Sequence, residues 1–509
     1  MSRPRIDDLA LPLVLVALTV FAAWVLPATL MVLVLPLLLF AAVWSAWRSF
    51  RTGVGAVLFL ALLADNPQSR PMEGQWESPL YPAGELLYTN LHLLIGIEAF
   101  RFSLLEVLVL GFVLIALMKR SAGGGAGTLS KGGKTLAAAL GIAFIAVIVL
   151  EGWGLVRGGD FRQSLWQIRQ ILWLPALAWL CIHAFRRRGD IWFLSGIIMI
   201  AGVLRAFTGF AYYAMSRADG HFPTYVTSHS DSVLWLVGVA TCLLYLMERP
   251  SQRAWILCAA YIPVASLAML LNERRLAFVC LGAAFLVVLF VVRTQVLRRL
   301  RRTALIASPV LIVYIFAGWN IDHRVFAPVR TFQSLLDESD ASNHSRHVEN
   351  FNLVYTLLES PLVGHGFGHP YSEHIETYRI DHVFEQYLYM PHNSVLWMLA
   401  AGGIIGFLAL WAFIPLVIWL AAKCYRNAVA PTERVAALTS ISVVVAYLIQ
   451  AWGDIGAHSW MVTLILAAYV GIVGNLDRHV HARQFHTPDV DGAPRKNSDA
   501  MDVAEGVAC

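Results

Sequence analysis

Apolar runs dominate the chain, and most are long enough, or nearly so, to cross a lipid bilayer as helices. A spanning helix needs about 20 apolar residues, and the sequence holds fourteen candidate runs. They are 9–26, 29–47, 53–65, 102–118, 135–155, 165–185, 191–213, 232–247, 254–271, 276–293, 304–320, 394–421, 435–452 and 459–475. The pattern predicts an all-α, polytopic transmembrane helical bundle of about 12–14 spans. One large, partly helical extracytoplasmic loop, residues 321–393, interrupts the series.

The composition supports a membrane protein. The chain is 58% hydrophobic and only 14% charged, whereas soluble domains carry about 25% charged residues. We expect no nucleic acid partner. No cysteine lies in the long polar loop, so the sequence predicts no disulfide framework. Residues 1–30 lack a small-residue cleavage site and a second apolar run follows them, which indicates a retained first helix.

Basic residues are concentrated in alternate connections between the apolar runs. The N-terminus, these connections and the C-terminal tail hold 25 of the 38 Lys and Arg residues, including all five Lys. Because cytoplasmic loops are enriched in Lys and Arg, both termini are placed in the cytoplasm. The segments predicted to face outward are 66–101, 156–164, 214–231, 272–275, 321–393 and 453–458. The predicted regions are 1–320 with eleven spans, the periplasmic loop 321–393, the C-terminal spans 394–475, and a disordered cytoplasmic tail 476–509.

Thirteen arginines lie outward or within spans, against this bias. They are Arg70, Arg101, Arg157, Arg162, Arg169, Arg205, Arg217, Arg274, Arg275, Arg324, Arg330, Arg346 and Arg379. Arg274 and Arg275 occupy a four-residue turn between two spans, so their guanidinium groups are held at the outer interface. Such groups suit a diphosphate, which accepts forked, charge-assisted hydrogen bonds. Lipid headgroups or pairing with Glu273 explain them equally well.

A second outward loop combines Arg217 with His221, His229 and Asp231. The spacing of these histidines and the acid is that of a possible metal site, but no second paired motif accompanies it. Ordinary loop polarity or a phosphate contact is the better interpretation. Arg205 lies within a span, where capping or pairing inside the bundle accounts for it.

Residues 351–358 of the large loop repeat apolar side chains at helical spacing, which predicts an amphipathic helix that Pro361 ends. Arg346 and Glu349 lie near its start. The following GHGFG run permits close backbone contact and could bind an anion, although plain turn geometry explains each glycine on its own.

His392 and Asn393 directly precede the next span. A histidine can accept a proton near neutral pH, but an isolated interfacial histidine is more often a structural hydrogen-bonding group. Beyond this pair, the GGIIG run at 402–406 permits a break in the helix or a close helix contact.

Three pieces of this pattern resemble the O-antigen ligase and O-antigen polymerase superfamily of bacterial membrane glycosyltransferases. The first is Arg275-Leu-Ala at the start of a span. The second is Arg346, followed by a helix and the PLVGHGFG run at 361–368. The third is His392-Asn393 followed by GGIIG. The resemblance covers roughly residues 200–425, and Arg217 matches the family's other outer-loop arginine less securely.

The resemblance implies transfer of a glycan from an undecaprenyl-diphosphate-linked donor to a hydroxyl of a lipid, glycan or protein acceptor. The reaction would be inverting, metal-independent and without a cofactor, at the periplasmic face of the bacterial inner membrane. His392 and Arg275 are the implied catalytic residues. The implied diphosphate- and glycan-binding residues are Arg217, Arg274, Arg346, Gly364, Gly366, Gly368 and Asn393.

Two other functions remain compatible with the sequence. A transporter or flippase of a lipid-linked glycan would be expected to carry ionisable residues near the middle of the membrane and two related halves. A non-catalytic scaffold would account for the long loop but not for Arg274 and Arg275 on the same face as His392. The residues do not separate a ligase from a polymerase.

Overall fold

The computed structural model describes residues 17–21, 25, 39–66, 78–97, 100–121, 129–223, 225–291, 295–321, 323–335, 341–377, 379 and 384–484. Within these residues the regular structure is helical, as the sequence predicts. Nine of the described helices are long and apolar enough to cross a membrane, and Phe50–Leu63 and Arg275–Val288 are shorter apolar helices. The all-α polytopic bundle is therefore confirmed.

Seventeen α-helices have described bounds. The first nine are α1 Phe50–Leu63, α2 Tyr81–Tyr88, α3 Leu91–Ile95, α4 Leu104–Ser121, α5 Lys131–Val156, α6 Phe161–Ala184, α7 Asp190–Ala218, α8 Asp231–Glu248 and α9 Gln252–Leu271. The others are α10 Arg275–Val291, α11 Gln295–Trp319, α12 Ala327–Leu335, α13 Ala341–Glu359, α14 Ser394–Trp411, α15 Phe413–Asn427, α16 Pro431–Gly453 and α17 Trp460–Gln484. Two short 3₁₀ helices, Arg324–Phe326 and Gly456–His458, lie in connections.

Helix α17 forms the centre of the bundle. The apolar stretch of α17 that could cross a membrane is completely buried, whereas about four-fifths of the corresponding stretches of α8 and α16 are buried. Helix α11 lies at the periphery of the bundle, and none of its apolar stretch is buried. Side chains of α11 such as Leu305, Val310 and Phe316 are more than two-thirds exposed, and lipid is the environment that suits such a surface.

Side-chain contacts group the connections into two ends of the bundle. One end joins the connections predicted to be cytoplasmic: the ion pairs there are Arg51–Asp190, Arg188–Glu433, Arg434–Glu248 and Lys423–Asp477. The other end joins connections predicted to face outward. There, Asn272 binds the backbone of residues 226–228, and His229 contacts Asp454. The grouping agrees with the predicted alternation, and the side of the membrane on which each end lies stays a prediction.

Three sequence predictions need comment. The run 53–65 forms a helix of only 14 residues, α1, which rises about 21 Å. The last helix continues to Gln484, past the end of the apolar run, so residues 476–484 are helical, and the disordered tail after them stays a prediction. Residues 485–509 and most of the runs 9–26 and 29–47 lie outside the described residues.

The amphipathic helix predicted in the large loop is α13, and its last residue, Glu359, precedes Pro361 as expected. Helix α14 begins directly after His392-Asn393 and is broken at Gly403, whose φ of 57° and ψ of −171° are not helical. The break expected from the GGIIG run is therefore present, and the site is built around it.

Candidate active site

The PLVGHGFG segment fits into the break of α14. The backbone N–H groups of Ile404 and Ile405 donate to the carbonyls of Pro361 and Leu362 at 2.9 and 3.1 Å. In return, the N–H groups of His365 and Gly366 donate to the carbonyls of Ala400 and Ala401 at 3.2 and 2.8 Å. Each segment satisfies backbone groups that the helix break would leave without partners. We call residues 361–368 and 400–405 the glycine junction.

Three glycines of the junction have positive φ: 68° at Gly364, 81° at Gly366 and 87° at Gly368. A Cβ atom at Gly364 would lie 2.2 Å from the carbonyl oxygen of Ala401, and one at Gly366 would lie 2.3 Å from Cα of Gly154. Both conformation and space therefore require glycine at these positions.

The N–H groups of the junction are already used within the protein. Those of residues 364–367 bond to backbone carbonyls, and that of Gly368 donates to Oε1 of Gln167 at 2.6 Å. This conformation therefore leaves no backbone donor of residues 364–368 for an anion. These hydrogen bonds support a structural role for the glycines. Direct contact of Gly364, Gly366 or Gly368 with the glycan stays a prediction.

His392 lies against α13. Its Nδ1 is 3.0 Å from Oε2 of the buried Glu349, while Oε1 of Glu349 accepts the backbone N–H of Asn393 at 3.3 Å. An ionised carboxylate can only accept, so Nδ1 carries the hydrogen and Nε2 is left as the proton acceptor. This is the arrangement that a general base requires.

The electrostatic surroundings favour a protonated His392. Burial alone lowers the pKa of His392, but the hydrogen bond to Glu349 and the charges of Glu349 and Asp454 outweigh it. The charge of Arg346 lowers the pKa of His392. The net result is a pKa above the usual value, which strengthens the imidazole as a base.

A second histidine and acid lie on the other side of His392. His229 Nδ1 is 3.2 Å from Oδ2 of Asp454, the residue that follows α16. Burial alone would raise the pKa of the Asp454 carboxyl group. The pKa of this carboxyl group is nevertheless held well below its usual range. The causes are the charge and the hydrogen bond of His229, the N–H of Ile455 and the charge of His392. Asp454 is therefore an anion in contact with His229 and close enough to His392 to affect its charge.

Arg274 joins this cluster through an aromatic ring. Its guanidinium carbon lies 3.4 Å from the centroid of Tyr225, a cation–π contact. The rings of Tyr225 and His229 are 6.2 Å apart. Buried Asn272 fixes the loop beneath them, because its Oδ1 accepts the N–H groups of Val226 and Thr227. We call Arg274, Tyr225, His229, Asp454, His392, Glu349 and Arg346 the charged cluster.

Two further arginines, Arg346 and Arg275, were predicted to act with His392. Arg346 is one turn before Glu349 on α13, and its buried Nε has no hydrogen-bond partner among the described residues. Arg275 begins α10 and is exposed. The next residue, Leu276, packs against Gly453, the neighbour of Asp454. The structure thus brings both arginines to the same end of the bundle as His392.

Two predicted binding residues have mainly local contacts. Asn393 is buried and caps α14, since its Oδ1 accepts the N–H of Leu396 at 3.1 Å and its Nδ2 donates to Asn350 at 2.9 Å. Arg217 is exposed at the end of α7, with its guanidinium 4.4 Å from the ring of Phe222. Contact of either residue with substrate stays a prediction.

The possible metal site at His221, His229 and Asp231 is not assembled. Asp231 instead binds Arg205 through both carboxylate oxygens, at 2.6 and 2.7 Å, and Asp65 binds the same guanidinium at 2.6 Å. Arg205 is therefore paired inside the bundle, one of the two interpretations given above. Across the described ranges, no group of three His, Cys, Asp or Glu residues is placed to hold a metal ion.

Sequence reasoning named Glu349 and His229 without their roles, and it missed Asp454. The position of Glu349 next to the apolar stripe of an amphipathic helix was a usable signal. Asp454 is an acid directly after an apolar span in a predicted outward turn, which was also visible. Neither signal shows that the two acids flank the same histidine, because that follows from the helix packing.

One family model matches part of the chain. No curated protein matches the chain. Residues 260–411, which include Arg274, Arg275, Arg346, Gly364, Gly366, Gly368, His392 and Asn393, match the model of a family described as O-antigen ligase. The resemblance of this chain to the O-antigen ligase and polymerase superfamily of membrane glycosyltransferases is thereby confirmed.

Proposed function

We propose that this protein transfers a glycan from an undecaprenyl-diphosphate-linked donor to an acceptor hydroxyl at the outer face of the bacterial inner membrane. The product would be a ligated glycan or an extended polysaccharide, since donor chemistry is the same for both. The observation that carries the proposal is the His392–Glu349 contact of 3.0 Å within a family-matched segment. It provides an oriented base beside a group of arginines.

The first step is deprotonation of the acceptor. Nε2 of His392 removes the proton of the attacking hydroxyl, and Glu349 stabilises the imidazolium through Nδ1. The hydroxyl oxygen forms a bond to the anomeric carbon on the face opposite the diphosphate, so the configuration is inverted. Asp454 adds a second negative charge near the imidazolium, and this favours the same proton transfer.

The second feature is departure of undecaprenyl diphosphate as the bond from the anomeric carbon to the phosphate oxygen breaks. Negative charge grows on the diphosphate, and arginines held at the outer interface stabilise it. Arg274 and Arg275 are assigned this role without a divalent metal, with Arg217 and Arg346 as further contacts. Arg346 supports this role, because its buried Nε has no hydrogen-bond partner among the described residues and is able to donate to a ligand. Afterwards His392 returns its proton to the solvent or the departing diphosphate.

A membrane assay tests the function directly. Membranes containing the full chain are incubated with a labelled lipid-diphosphate glycan and an acceptor, and product and released lipid diphosphate are measured. The proposal expects transfer that is lost with His392→Ala and with Arg275→Ala. Normal transfer by both variants refutes the site. Movement of labelled donor across proteoliposomes without new glycosidic bonds would instead support the transporter alternative.

A further inference from the structure

A groove between α4 and α6 lies apart from the charged cluster. It has a volume of about 220 Å³ and is lined by residues of the two helices and of the segment before α4. Its polar lining residues are Arg101, Glu106 and Arg169, and the rest are apolar or aromatic. The groove is at the same end of the bundle as the outward connections, since α4 and α6 both begin there.

The inner wall of the groove is a buried polar network. Trp173 Nε1 donates to Oε1 of Glu106 at 2.8 Å. The backbone N–H of Ser103 donates to Oε2 of Glu106 at 2.6 Å. Arg169 lies 3.6 Å from Glu106 and also donates to the carbonyl of Arg101. The polar lining of the groove therefore holds two guanidinium groups and one carboxylate.

Arg169 retains donor capacity towards the groove. A guanidinium has five N–H donors. Among the described residues, its one hydrogen bond goes to the Arg101 carbonyl and its other polar contact is the longer one to Glu106. Its side chain is only 9% exposed. Its guanidinium carbon also lies 5.7 Å from the centroid of the Trp166 ring. A largely buried guanidinium group with donors left over is suited to bind an anion.

The apolar wall continues along one face of α6. Phe161, Leu165, Ile168 and Leu172 follow at spacings of four, three and four residues, so they form a stripe about 16 Å long. Phe102 and Phe161, both at least half exposed, stand at its outer end. The volume is below the roughly 300 Å³ of pockets that enclose a whole small ligand. The groove therefore has room for one acyl chain of a lipid, and the remainder of the lipid would stay in the bilayer.

We propose that this groove binds one anionic phospholipid, with its headgroup phosphate at Arg101 and Arg169 and one acyl chain along the α6 stripe. A phosphate matches the forked guanidinium donors, and a chain matches the apolar wall that leads into the membrane. The proposal concerns a site distinct from His392 and holds whether or not the protein transfers glycans.

The test uses the purified full chain in nanodiscs that contain phosphatidylcholine and phosphatidylglycerol with identical acyl chains. Native mass spectrometry then counts the lipids that stay bound. We expect one tightly held phosphatidylglycerol. Arg101→Gln should lower its retention about tenfold, the scale of one hydrogen bond to a charged group. Leu165→Trp, which fills the groove, should remove it.

Arg162→Gln provides the matched control, because Arg162 is exposed on α6 but does not line the groove. It should retain phosphatidylglycerol as the unchanged protein does. Equal retention of the two lipids would overturn the proposal, as would unchanged retention in both groove variants. Thermal unfolding in detergent identifies any variant that fails to fold, and Arg101→Gln, at the rim, then carries the test.

Discussion

The glycine junction and the charged cluster lie at opposite ends of residues 361–393 and use their polar groups in opposite ways. In the junction, backbone donors and acceptors of the loop and of α14 pair with one another at 2.8–3.2 Å. In the charged cluster, His392 keeps Nε2 for a proton, and the buried Nε of Arg346 has no hydrogen-bond partner among the described residues. The backbone groups of the first region are paired within the protein, whereas the second region holds the groups to which we assign the reaction.

The difference separates two kinds of motif residue. A glycine that is required because its surroundings leave no space for a Cβ atom contributes to stability. A residue that is required for its charge or its proton contributes to the reaction. The two regions are nevertheless coupled, since the junction fixes the start of the loop that ends at His392. The predictions below test this separation, beginning with the largest expected effect.

His392→Ala should lower the transfer rate by about 10²–10⁴-fold, the usual contribution of a general base. The thermal unfolding midpoint should change little, because the side chain is part-exposed and its one hydrogen bond is to Glu349. Initial rates in membranes and melting curves in detergent measure the two effects. His374→Ala is the control, since His374 is 42% exposed and contacts Glu359 rather than the charged cluster. Equal losses in the two variants would contradict the assignment.

Gly366→Ala should reduce stability far more than Gly158→Ala. Both glycines have positive φ, 81° and 91°, so both variants bear a conformational penalty of about 1 kcal/mol. An added Cβ at Gly158 meets no atom within 4 Å, whereas one at Gly366 meets the Gly154 backbone at 2.3 Å. Overpacking then adds about 1–3 kcal/mol. Unfolding midpoints compare the pair, and similar midpoints would show that the junction is not close-packed.

Glu349→Gln should lower the transfer rate by about 10–100-fold, since the amide oxygen can still accept the hydrogen of Nδ1 but the negative charge that stabilises the imidazolium is lost. It should also shift the acid limb of the pH–rate profile. His392 acts as a base only when it is neutral, so activity falls as the pH drops below its raised pKa. Without the carboxylate this pKa decreases, and the acid limb moves to lower pH. A rate loss with an unmoved limb would assign Glu349 a purely structural role.

The sequence predicted the elements of this protein better than their contacts. Apolar runs located the described spanning helices because the bilayer selects for length and hydropathy. The amphipathic helix, the end at Pro361 and the break near Gly403 followed from local chemistry. The helix at the C-terminus extended past its apolar run to Gln484, which hydropathy does not report.

The site was predicted in part. Arg274, Arg346 and His392 were chosen because charges and a histidine at an outer face are unusual in such a chain. The pairings of Glu349 with His392 and of Asp454 with His229 could not be predicted, because each joins segments that are far apart in the sequence. The glycines of GHGFG were recognised, but only the packing against Gly154 and Ala401 shows why they are needed.

Arg274→Lys should have the smallest effect, a loss of about 3–10-fold in transfer rate. Lysine keeps the positive charge but loses the planar fork and part of the stacking on Tyr225, an interaction of about 0.5–1 kcal/mol at exposed sites. Tyr225→Leu should produce a similar loss, since it removes the ring and leaves the arginine. If both variants and the double variant show the same rate, the arginine acts only when Tyr225 orients it. If the losses multiply, Arg274 binds the diphosphate without help from the ring, and the charged cluster is less unified than its contacts indicate.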